Sequence, residues 1–295
     1  MNQTGRGEVY DIGYQHYTGG LEGREGRLMA LVLDGMRTAL GIGRGLPSKI
    51  LPALLFLALM IPALVFMIIA VFAGEVPEDL IGVPRYYAVA AIPLLIFSAI
   101  IAPELLTADR RSGVLSLYLV RPITVGDYVI GRWLAFFLLS LIVVWLPQIV
   151  LFIGVTLGDA DTGRYLLDNW LQVPRFLLAG AALALFTTTL PLAVAAFINR
   201  RAMAAAFVIG LWFITAAVGN ALGNEIGGTA GSWLFLIDIG SSPVDINDLI
   251  FGLTVERSGA GEIGEVPTAV LVVWYLVLVA VPAGLLWRRY RGLGA

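Results

Sequence analysis

Apolar residues in this chain run in six unbroken blocks rather than in stripes. The blocks are Ile50–Phe72, Tyr86–Pro103, Trp133–Leu157, Phe176–Ile198, Ala202–Leu222 and Val266–Trp287, and none holds Asp, Glu, Lys, Arg or His. A helix of a water-soluble domain shows one apolar stripe and one charged face; these blocks are apolar all round. A bilayer core about 30 Å thick takes roughly 20 helical residues, close to the length of each block. In lipid every backbone N–H and C=O must be paired within the chain, which makes the blocks helices. The pattern predicts an all-α polytopic membrane protein, with six spans in one transmembrane domain over 46–290.

The polar positions define the remaining segments. Residues 1–27 are Gly-rich and polar, without helical or strand period. They read as a solvated tail, or as a docking segment through Tyr10, Tyr14 and Tyr17. Residues 28–45 differ: Leu28, Leu31, Val32, Met36, Ala39 and Leu40 fall on one helical face, with Arg27, Asp34, Arg37 and Thr38 on the other. Too short to span, this amphipathic helix is expected to lie in the membrane interface, ended by Gly41, Gly43, Gly45 and Pro47. The connection 104–132 is predicted to hold a short helix, broken at Gly113 and ended before Pro122, with Asp127 to Arg132 leading into the third span. The connection 223–265 carries two short apolar patches, Trp233–Ile237 and Leu249–Leu253, separated by Gly240-Ser241-Ser242-Pro243. These predict short interfacial helices packed on the bundle. Pro52, Pro62, Pro93, Pro103, Pro147, Pro191 and Pro282 lie in or at the ends of spans and predict kinks that neighbouring helices accommodate.

Composition agrees, with 59% hydrophobic residues and a mean hydropathy of +0.87. The net charge of −2 hides a segregation. Fifteen of the nineteen Lys and Arg fall in 1–49, 104–132, 200–201 and 288–291, all on one side of a six-span topology. Thirteen of the 21 acidic residues fall on the other side. The positive-inside rule makes the basic side cytoplasmic, with both termini there. The single lysine among many arginines suggests a GC-rich prokaryote, and so a multi-pass protein of the cell (inner) membrane. The polar start gives no secretory signal pattern. Cysteine is absent, so no disulfide frame or thiolate metal site is expected.

Much chemistry is missing. A P-loop needs Gly-x-x-x-x-Gly-Lys-Ser/Thr, but the one lysine, Lys49, sits between Ser48 and Ile50. The one histidine is His16, and no ligand cluster for a metal is visible. Glu104 borders the second span alone, which disfavours a paired-carboxylate protease. Ion-coupled carriers place acidic or histidine side chains inside spans, and these spans have none. No catalytic acid, base and nucleophile group is apparent, and nothing suggests nucleic acid as a partner. Ser98, Ser140, Gln148, Thr187, Thr188, Thr189 and Asn220 read as helix-to-helix hydrogen-bonding groups. Phe97, Trp145, Gln148, Phe186, Thr188, Trp212 and Phe213 are candidates to line an apolar path, or else face lipid or core.

Asp109-Arg110-Arg111-Ser112-Gly113-Val114-Leu115, then Pro122, then Tyr128-Val129-Ile130-Gly131-Arg132 resembles the cytoplasmic loop of type-2 ABC exporter permeases. That family shows Glu-Arg-x-x-Gly-Thr-Leu, a later proline, and Gly-Lys at the third span. Asp109, Val114 and Arg132 depart from the pattern conservatively. The layout over about residues 28–290 matches as well. The resemblance implies an ABCG-like, type V transmembrane fold, with two permeases facing each other as a homodimer or related heterodimer. It implies two separate ATPase subunits that hold ATP and Mg, so this chain would have no cofactor and no ATPase site of its own. Glu104, Asp109, Arg110, Arg111, Gly113, Leu115 and Pro122 would form the coupling element, and Leu28, Leu31, Val32, Met36 and Leu40 the connecting helix. The uncharged spans suit an amphipathic, lipid-like or drug cargo. An ATP-independent carrier or channel, a lipid-modifying membrane enzyme, and a scaffolding or immunity factor are the alternatives.

Overall fold

The computed structural model describes residues 23–43, 45–73, 82–111, 123–257, 261–262 and 266–292. Within them the chain is helical: α1 Arg24–Ala39, α2 Pro47–Ala73, α3 Tyr86–Arg111, α4 Val125–Gly158, α5 Thr162–Asn169, α6 Gln172–Phe197, α7 Arg201–Ile226, α8 Gly228–Leu234, α9 Ser242–Phe251 and α10 Thr268–Arg291. A 3-10 turn, Phe235–Ile237, follows α8, and Glu256–Arg257 pairs antiparallel with Gly261–Glu262. Six helices, α2, α3, α4, α6, α7 and α10, are long and apolar enough to cross a membrane. They take in the six sequence blocks except Ile198, Val266 and Pro267, so the chain is a multi-pass membrane protein.

The six are not equivalent. In their most apolar windows α3 and α6 are 67% buried and α4 56%, against 17–22% for α2, α7 and α10. The first three form the centre, packed through Tyr87, Leu94 and Phe97 of α3, Phe136, Leu139 and Val144 of α4, and Phe176, Leu183 and Leu192 of α6. The outer three turn apolar side chains away from the bundle, such as Leu54 and Ile61 of α2, Phe207 and Ile214 of α7, and Val273 and Leu276 of α10. Such outward faces suit hydrocarbon rather than water.

Two devices let the helices approach. Gly154 and Gly158 of α4 admit Met67 and Ala70 of α2, and a β-carbon at either glycine would overlap them. This is small-residue packing at four-residue spacing. Tyrosine and tryptophan reach carbonyls of neighbouring helices: Tyr86 Oη to Leu59 at 2.6 Å, Tyr87 Oη to Phe176 at 2.9 Å, Trp145 Nε1 to Leu177 at 3.0 Å and Tyr275 Oη to Ala182 at 2.8 Å. The buried threonines turn inward locally: Thr187 and Thr189 donate to carbonyls of Leu183 and Leu185, a turn earlier in the same helix. Only Thr188, donating to Ser140 at 3.4 Å, and Thr189, accepting from Trp133 Nε1 at 3.0 Å, bridge helices as expected.

Four boundaries differ from the sequence reading. The amphipathic helix starts at Arg24, not 28, with Glu25 in its first turn. Helix α3 runs unbroken past Pro103 to Arg111, because Leu105 and Leu106 are 1% and 2% exposed and carry the core beyond the proline. Helix α4 starts at Val125, eight residues before the apolar block, on a Thr124–Asp127 capping box. The short apolar patch at Leu249–Leu253 belongs to a longer helix, α9, which starts at Ser242 with Pro243 in its first turn. It packs against α6, α10 and α3, on the bundle as expected.

Candidate functional site

The described charges gather where α3 ends and α4 begins. Tyr128 and Arg132, four residues apart on α4, share a helical face. The Arg132 guanidinium donates from Nη2 to Asp109 Oδ2 of α3 at 2.7 Å and from Nη1 to Asp34 Oδ2 of α1 at 2.9 Å. Tyr128 Oη donates to the same Asp109 oxygen at 2.8 Å, and the guanidinium stands 5.7 Å over the Tyr128 ring. The Tyr128 ring rests against Tyr290 of α10, with centroids 5.8 Å apart. The Arg132 side chain is 3% exposed and that of Asp109 16%, whereas Asp34 is half in solvent. The strong pair is therefore the one with Asp109. A planar fork can hold two carboxylates on two helices at once, which a lysine ammonium does less well.

A second set of contacts fixes α1 and the neighbouring helix ends. Arg24 donates from Nε and Nη2 to Asp127 Oδ1 at 3.0 and 2.7 Å, while Asp127 Oδ2 accepts from the Thr124 backbone. The Asp127 carboxylate holds the exposed Arg24 guanidinium above its ordinary value. Gly35 and Gly131 let α1 lie close on α4: β-carbons there would stand 2.6 Å from Ala135 Cβ and 3.0 Å from Leu31 Cβ. Arg201, at the start of α7, donates to Glu104 at 2.9 Å and ties the end of α3 to α7. Arg289 of α10 lies 5.8 Å from the Phe197 ring of α6. No group of three potential metal ligands occurs among the described residues.

The sequence candidates divide accordingly. Of the coupling set, Glu104 and Asp109 sit in the last turns of α3, tied to α7 and α4. Only the backbone of Arg110 and Arg111 is described, as helix. Gly113, Leu115 and Pro122 lie outside the described residues, as does the tail to residue 22. Of the connecting-helix set, Leu31 and Val32 are buried, Leu31 against Gly131 of α4, while Leu28, Met36 and Leu40 are half-buried. Asp34, Asp127 and Tyr128 were not among the site residues expected from the sequence. The Thr124-x-x-Asp127 pattern was the available signal for Asp127; the others depend on which helices meet.

The pathway candidates also separate. Phe97, Gln148, Phe186 and Thr188 are buried in the packed interior, and half-buried Trp145 is held by Leu177. Gln148 donates to the Val83 carbonyl, fixing the turn that starts α3. Trp212 and Phe213 line a cavity. This space, about 340 Å³, lies between the first half of α3, the second half of α7 and residues 238–245. The α3 lining, Ala88 to Ile96, lies 21 to 13 residues before Asp109, which puts the cavity roughly 20–30 Å from the Arg132 junction. Its walls include Ile92, Leu95, Ile209, Trp212 and Phe213, and its polar end holds Asn220, Asp238, Ser241 and Asp245.

No protein-family model matches this chain, and no curated protein matches it either.

Proposed function

We propose that this chain is the membrane-spanning permease subunit of an ATP-driven ABC exporter, working with a separate ATPase. The observation that carries the reading is the junction at Arg132. One guanidinium joins α1, the end of α3 and the start of α4, so a partner pressing on the 104–122 connection would move three helices as one body. A permease with no nucleotide site of its own needs such a rigid connection between its soluble side and its spans. The absence of ionisable groups within the apolar blocks further supports an external energy source over ion coupling. In this reading the arginine-rich end faces the cytoplasm of a prokaryotic cell. Two copies, or this chain and a relative, would enclose the path for an amphipathic cargo.

The test is purification from the native membrane in mild detergent. A stoichiometric soluble ATPase whose turnover depends on this chain supports the reading. Solute transport by the chain alone in ATP-free liposomes would sink it in favour of a carrier. Exchange of Arg110 and Arg111 for alanine should uncouple ATP turnover from transport while leaving the thermal unfolding of the chain unchanged. Unchanged transport in that variant removes the coupling assignment.

A further inference from the structure

The cavity between α3 and α7 has a built polar end. Asp238 and Asp245 are 4% and 3% exposed, and the lining holds both of them and no Lys or Arg. Trp212 is 6% exposed, and its Nε1 has no hydrogen-bond partner among the described residues. A buried indole N–H left unmade is costly, so it points to a partner from elsewhere. Gly240 shows where that partner would sit. A β-carbon on Gly240 would lie 3.6 Å from Asp238 Oδ1 and 3.6 Å from Trp212 Cδ1, the atom next to Nε1. The carboxylate and the indole edge thus converge on the small space over a bare α-carbon. Ser241 holds Asp238 in place, donating to Oδ2 at 2.6 Å. Away from this end the walls are apolar, and Ile92 and Phe213 are 61% and 65% exposed along the side of the bundle.

The geometry points to a binding site for an amphipathic amine. Its ammonium meets Asp238 and Asp245, a hydrogen-bond acceptor beside the ammonium takes the Trp212 N–H, and its apolar body lies along Ile92, Leu95 and Phe213. The volume suits a small ligand, and the exposed apolar side admits it from the bilayer. Carboxylates favour a cation, and the indole face adds attraction for one. As a statement of cargo class, the inference rests on the permease reading; as a statement of binding, it stands on the cavity alone.

The experiment uses the purified full chain in an uncharged maltoside detergent, with tritiated propranolol as probe. Propranolol is an amphipathic amine with ether and hydroxyl acceptors near its nitrogen. Naproxen, a carboxylate of similar size, is the control. Saturable binding of propranolol near one per chain, with no competition by naproxen, is the expected result. The Asp238→Asn, Asp245→Asn double variant should weaken binding about tenfold to a hundredfold, and Trp212→Phe, which keeps the ring, about threefold to tenfold. Gly240→Val should block binding while the chain still elutes as the wild type does, because a β-carbon there makes only ordinary contacts. If the double variant fails to fold, the Trp212 and Gly240 variants decide. Undiminished binding by these variants, or equal binding of naproxen, overturns the site. Added phosphatidylethanolamine separates two sources of the same chemistry. Competitive displacement supports a lipid headgroup as occupant, and no displacement supports a free amine. No ATPase takes part, so failure here is distinguishable from failure of ATP-driven transport.

Discussion

Arg132 bonds to Asp34 and Asp109, which are 98 and 23 residues away. Removing it takes the guanidinium from the largely buried Asp109 carboxylate, which still accepts from Tyr128 Oη, and from the half-exposed Asp34. Arg132→Ala should destabilise the chain by about 3–5 kcal/mol, read as a lowered unfolding temperature in detergent. Arg132→Lys should recover part of the loss, since an ammonium keeps the charge but not the fork. Equal stability of all three forms would reduce the junction to a solvated surface pair. Gly219 makes a second case at this scale: a β-carbon there would stand 2.8 Å from the backbone nitrogen of Asp238. Gly219→Ala should destabilise by about 1–3 kcal/mol through overpacking and weaken ligand binding in the α3–α7 cavity. Unaltered unfolding and binding would mean the 238–245 segment gives way freely. The sequence showed Arg132 entering a span, but not its partners. Pairing across such separations depends on how α1 docks, which no local pattern encodes.

At the scale of elements, the six spans were readable because an uncharged block of membrane length has one stable backbone solution. Their ends were not. Polar residues beyond an apolar block stay helical when a cap or buried leucines continue the packing, as Thr124 does for α4 and Leu105 for α3. The eight-residue α5 escaped notice for the opposite reason: it has no buried residue, and only Asp161 capping Arg164 N marks its start. The amphipathic stripe of α1 was legible, yet the stripe alone did not say that its apolar side meets α4. Contact with α4 is testable because the chain has no cysteine. Leu31→Cys with Gly131→Cys should cross-link rapidly on mild oxidation. Their β-carbons, 3.0 Å apart as placed, need only a small relaxation to reach the disulfide range of about 3.5–4.5 Å. Slow cross-linking would mean that α1 wanders in the interface.

For the whole molecule, burial divides the bundle into a central trio and three outer helices with apolar outward faces. That division was hidden in the sequence, because a span facing lipid and a span facing protein are equally apolar. For sidedness the arginine distribution gives an expectation, a cytoplasmic arginine-rich end, and labelling tests it. A maleimide that cannot cross membranes should label Gly163→Cys in intact cells, and a reporter that fluoresces only in the cytosol should glow when joined after Gly292. The reverse pattern would invert the topology and place the Arg132 junction outside the cell.

Helix α4 has 34 residues, and so measures about 50 Å at roughly 1.5 Å per residue. It begins in the charged junction and continues as one rod, interrupted in its backbone hydrogen bonding only at Pro147. In the proposed permease, such a rod would work as a crank. Force taken up at Asp34 and Asp109 would become tilt along the roughly four turns between Arg132 and Pro147. Pro147 is the one place on the rod where tilt can be turned into bend, at the level where Gln148 grips the turn that leads into α3. Stiffening that joint would change how far the two ends of the molecule move together, with no contact at either end altered.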